Sequence, residues 1–150
     1  MVVTRWRATS PRVVITARAL LAATAIVVAV IVFTPGPPDE SGQRALAAWL
    51  DRVHTTWMPG WITFDLIEFA SNAVMFLPLG LLGALAMTGR RWVTVPACAA
   101  LSSAIEVVQS LVLPEREGSW QDIAANSLGA LIGCLLALAL LRRLALRQPL

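Results

Sequence analysis

Asp65, Glu68 and Asn72, then Glu106 and Gln109, then Asp122 and Asn126 are the residues of this chain best equipped for chemistry, and each set falls within a long apolar block or, for Asp122, at its very edge. Acids and amides are expensive inside hydrocarbon, so residues of these types in such blocks are functional candidates by default. At about 100° per residue, Asp65, Glu68 and Asn72 occupy one narrow helical sector, Ser102, Glu106 and Gln109 a second, and Asp122, Asn126, Gly129 and Gly133 a third. Two carboxylates facing one pocket could share acid and base roles if their surroundings differed. The sequence contains no P-loop, paired-glycine dinucleotide motif, Ser/His/Asp set or metal-ligand cluster to go with them. The expected chemistry is therefore ligand binding, with no catalytic residue, metal or cofactor assigned. A proton relay for a small transporter is the ionic alternative, and helix-tying by hydrogen bonds the structural one.

The elements that must position these groups follow from composition. Hydrophobic residues make up 57% of the chain and the mean hydropathy is +0.71, too apolar for 150 residues to coat a soluble globule. Apolar stretches at 13–34, 64–87, 92–113 and 123–141 each have the roughly 20 residues that a bilayer crossing needs. An all-α bundle of four transmembrane helices is expected. Gly129 and Gly133, four apart, predict a close approach to a neighbouring helix, and Pro78 with Gly80 predicts a kink or tight packing in the second span.

All 12 basic residues are arginines, and they mark helix ends instead of forming the stripe that a nucleic-acid partner would require. Arg5, Arg7, Arg12 and Arg18 precede or open the first span, Arg90 and Arg91 sit between the second and third, and Arg142, Arg143 and Arg147 follow the fourth. The positive-inside rule then puts both termini in the cytoplasm and the acid-bearing loops outside. Arg18, about one turn inside its block, is expected to snorkel to the headgroups. An Arg-rich start before residues 19–33 also suits a secretory signal, but Pro35, Gly36, Pro37 and Pro38 replace a small-residue cleavage site, favouring an uncleaved helix.

Residues 35–63 comprise a Pro/Gly-rich linker and a segment in which Leu46, Trp49, Leu50, Val53 and Trp57 recur at helical spacing. That pattern predicts an amphipathic helix at the outer interface, extended by Trp61. His54 lacks the companions of a metal site, and Cys98 and Cys134, both inside spans, are expected to pack as free thiols. Glu106, seven residues before Leu113, should lie roughly 10 Å below the outer membrane surface, level with Asn72 and Asn126. The three polar faces can then meet in the outer half of one bundle.

Asn72, Phe76, Pro78 and Gly80, then Ser103, Glu106 and Gln109, then Arg116, Asp122, Asn126, Gly129 and Gly133, in this order and spacing, resemble the VanZ-like family. The quoted resemblance spans 65–141, making 64–141 a VanZ-like core, with 1–34 and 35–63 before it and a basic tail at 142–150. Many members carry an Asp where this chain has Ser119. The resemblance implies a multi-pass protein of the bacterial cytoplasmic membrane that lowers susceptibility to teicoplanin-type glycopeptides. Glu68, Asn72, Glu106, Gln109, Arg116, Asp122 and Asn126 would form the ligand pocket, and Pro78, Gly80, Gly129 and Gly133 the packing positions. Expected partners are membrane lipids, a lipid-linked cell-wall precursor or lipoglycopeptide whose phosphate or carboxylate Arg116 could pair, and, through the glycine face, a second copy in a homo-oligomer.

Overall fold

The computed structural model describes residues 10–33, 48–49, 51–53, 55–56, 59–112 and 119–146, and among them there is no strand. Among the described residues, four helices are long and apolar enough to cross a membrane. They are α1 (Pro11–Phe33), α2 (Phe64–Ala86), α3 (Thr94–Val112) and α4 (Trp120–Leu146), with a single 3-10 turn at Arg91–Val93 leading into α3. In the expected interfacial segment, residues 48–49 and 51–53 are helical. Leu46, Leu50, His54 and Trp57 lie outside the described residues.

Local chemistry explains the helix ends. Ser10 accepts the Val13 N–H on its hydroxyl and the Val14 N–H on its carbonyl just before Pro11, a serine cap followed by a proline whose missing N–H costs nothing there. Thr63 caps α2 by accepting the Leu66 N–H at 3.3 Å, and Asp65 in the first turn complements the helix dipole. Pro96 falls in the opening turn of α3, where proline is tolerated. α4 is longer at both ends than its apolar block. It starts early because the Ser119 carbonyl takes the Asp122 and Ile123 N–H groups. It runs late because Arg142 and Arg143 are good helix formers with charge suited to a C-terminus.

Side-chain pairings set the directions. Asn72 meets Asp122 at one end of α2 and α4 while Gly80 faces Ala130 further along, so these two helices run parallel. α1 lies antiparallel on α2: Arg18 near its start donates from Nε to the Ala86 carbonyl at 3.3 Å. This guanidinium is thus used between helices, satisfying a carbonyl that the end of α2 leaves without an intrahelical donor. α3 packs on α4, while α1 meets α3 only sparsely.

The α2–α4 contact is backbone against backbone. A Cβ on Gly129 would overlap the Ala73 carbonyl, one on Gly133 the Leu77 carbonyl, and one on Gly80 the Ala130 carbonyl. Lipid tails compete with apolar side chains on equal terms, so such close packing and interhelical hydrogen bonds hold a bundle together. α2 remains helical through Pro78, whose ring removes the N–H that would have bonded the Val74 carbonyl. Phe76, Leu79, Cys98, Ile105 and Ala130 join Val28 and Val32 of α1 in the central core. Cys98 and Cys134 are free and buried. Ile15, Ile26, Val30, Val107 and Leu111 point outward, as on a surface that meets acyl chains.

Candidate functional site: a polar cavity at one end of the bundle

All four helices wall a cavity of ≈ 530 Å³ in the half of the bundle that carries the 34–63 and 113–118 connections. Its volume is in the range of small-molecule sites. α2 supplies Asn72, α3 supplies Glu106 and Gln109, and α4 supplies Asp122 and Asn126; Pro78 and Val74 form part of the wall. Five of the seven expected pocket residues therefore meet. Glu68 does not: it lies on a separate cleft with Asp65, Phe69 and Trp120, and Asp122 borders both spaces. The sector is narrow but runs along about two turns of α2, so its residues border two spaces at different levels. Arg116 lies outside the described residues.

The acids and amides of the cavity tie elements together. Asn72 Nδ2 donates to Asp122 Oδ1 at 2.8 Å, joining α2 to α4. Asn126 Nδ2 donates to Ser102 Oγ at 2.9 Å, joining α4 to α3, and Gln109 Nε2 donates to the Val32 carbonyl at 2.9 Å, joining α3 to α1. The Ser119 backbone N–H donates to Glu106 Oε2 at 2.9 Å. Ser119 directly precedes α4, where Ser and Asp are both favoured capping residues, so the departure from Asp keeps a capping type at this position.

The bonds leave acceptors over. Glu106, Gln109 and Asn126 are 9%, 6% and 4% exposed, and Asn126 Oδ1 is buried with no hydrogen-bond partner. Among the described residues, no group of three or more His, Cys, Asp or Glu side chains could hold a metal ion. The arrangement suits binding: a group of polar side chains gathered in a partly open and otherwise mostly apolar cavity.

Sequence reasoning missed that apolar wall, which is the face of α1 with Thr24, Val28 and Ile31. Only Thr24 is polar there, so no signal distinguished this face from the lipid-facing one. It also treated Arg90 and Arg91 alike as topology markers. Arg90 is exposed, but Arg91 is buried at the opposite end of the bundle, where its carbonyl lies 3.8 Å from Cys134 Sγ.

Fold and site together define a membrane protein with four membrane-length helices among its described residues and a cavity with polar groups between those helices near one end. The sequence profile of the VanZ/LLP1 family matches residues 19–142, and the chain belongs to that family. The match begins at residue 19, within α1, so most of the first helix, which precedes the 65–141 resemblance, is part of the family region. Neither a curated protein nor a solved structure matches the chain.

Proposed function

We propose that this VanZ-family membrane protein is a binding protein of the bacterial cytoplasmic membrane whose cavity opens towards the outer face. It would take up or modulate a cell-envelope component there and lower susceptibility to teicoplanin-type glycopeptides. The observation that carries this reading is the convergence of Asn72, Glu106, Gln109, Asp122 and Asn126 from three helices on one cavity. Orientation is supported by charge: Arg12, Arg18, Arg90, Arg91, Arg142 and Arg143 lie towards the opposite end, which the positive-inside rule assigns to the cytoplasm.

A second reading, polar residues as structural ties only, draws support from the hydrogen bonds of Asn72, Asn126 and Gln109 across helix boundaries. Such bonds are worth about 0.6–2 kcal/mol each in membranes. Ties alone give no reason for a 530 Å³ space or for a buried acceptor lacking a donor. The deciding experiment expresses the wild type, Glu106→Gln and Arg116→Ala at equal levels in a glycopeptide-susceptible bacterium. Loss of teicoplanin tolerance in both variants is expected; wild-type tolerance in both overturns the reading.

A further inference from the structure

We propose that the cavity receives the ammonium head of a cationic amphiphile, held by Glu106, Asp122 and Asn126, with its hydrocarbon tail along α1. This rests on the cavity being a ligand site and names the chemical class of the ligand.

Among the described residues, the cavity wall carries two carboxylates, Glu106 and Asp122, and no basic side chain. At low effective dielectric an anionic group here would meet strong repulsion, and a cation attraction.

The amide nitrogens of Asn72, Gln109 and Asn126 already donate across helix boundaries, and both carboxylates already accept one hydrogen bond on one oxygen. Among the described residues no donor is assigned to the second oxygen of either acid, and Asn126 Oδ1 is buried and without a donor. A buried acceptor left without a donor is destabilising, and a ligand bearing N–H groups would supply the missing bond. An ammonium carries donors only, matching this deficit.

Val27, Ile31 and Val74 border the cavity and are 56%, 58% and 67% exposed on the surface that faces acyl chains. A water-soluble cation would gain nothing from this side. An amphiphile arriving through the bilayer can keep its chain against α1 while its head reaches the acids.

The test uses the full chain in phosphatidylcholine nanodiscs, titrated calorimetrically with dodecylammonium, dodecyl phosphate and dodecanol against empty nanodiscs. Dodecylammonium should bind tightest, with dodecyl phosphate weaker by at least about tenfold, the worth of one charge-assisted hydrogen bond. Glu106→Gln and Asp122→Asn each keep an oxygen for the Ser119 N–H or the Asn72 amide, and each should weaken dodecylammonium binding by about tenfold without weakening that of dodecanol. Ile31→Trp, a bulky change at an exposed rim position, should abolish binding of all three probes. If a charge variant misfolds, the ammonium-to-phosphate ratio on the wild type decides alone.

Equal affinity for ammonium and phosphate, or no response to both charge variants, overturns the proposal. If binding still disappears in Ile31→Trp, the ligand-site reading survives that failure; if no probe responds to Ile31→Trp, both fall. Phosphatidylethanolamine nanodiscs identify the source. Competition with dodecylammonium points to an aminophospholipid headgroup, and its absence to an amphiphile from outside the bilayer; either result leaves the ammonium site in place.

Discussion

Gly129→Ala is expected to force α2 and α4 apart at the position where the polar cavity depends on their contact. The new Cβ would stand 2.7 Å from the Ala73 carbonyl carbon and 2.9 Å from its Cα, with the carbonyl oxygen nearer still. Carbon atoms pack best at about 3.5–4.0 Å, so the backbones must separate by roughly 1 Å. The atom in the way is main chain within a helix and cannot rotate aside. Overpacking of this kind costs about 1–3 kcal/mol. A similar shift at the Asn72–Asp122 bond, now 2.8 Å, would carry it beyond hydrogen-bond range, removing about 0.6–1.7 kcal/mol more. Alanine's better helix propensity returns about 1 kcal/mol. The net loss is about 1–4 kcal/mol, or roughly 3–15 °C in the thermal midpoint. The assay is thermal unfolding of the purified full chain in detergent, with Gly89→Ala as control, because a Cβ there meets nothing within 4 Å. If Gly129→Ala and Gly89→Ala unfold at the same temperature, the close α2–α4 contact is not what holds this bundle together.

Thr63→Ala removes the cap of α2 and should cost about 1 kcal/mol in the same unfolding assay, with Thr63→Ser restoring most of it. The double change Asn126→Leu with Ser102→Ala removes both partners of one buried bond together with the unpaired Asn126 oxygen, so stability should change by less than about 1 kcal/mol while probe binding falls. Cys98 and Cys134 are 7% and 2% exposed, so both should resist maleimide in native membranes and react fully after denaturation in SDS. On that silent background, Gly60→Cys should label with a membrane-impermeant maleimide from outside intact cells and Gly89→Cys only after the membrane is opened; the reverse pattern would invert the proposed orientation.

Much of the bundle was legible from patterning. Long apolar runs require a solvent like themselves, and backbone groups in hydrocarbon must bond within their own helix, so four helices follow from composition and length. Their ends were less legible, because Ser119 and the arginines at 142 and 143 extend α4 through capping and helix propensity, which hydropathy does not register. Depth was also readable: a rise of about 1.5 Å per residue places Glu106, Asn72 and Asn126 in the same half of the bundle.

Which neighbour each polar face meets had to come from tertiary packing. A helical sector spans several turns and can border two spaces, so Glu68 turns to one cleft and Asn72 to another although they share one face of α2. The apolar wall of α1 is chemically indistinguishable from its lipid-facing side, and only docking on α2 separates them. The pairing of Gly129 with Ala73 and of Gly133 with Leu77 likewise depends on how α2 and α4 approach each other. Periodicity along one helix carries the direction of a side chain; what stands opposite is a property of the assembled bundle.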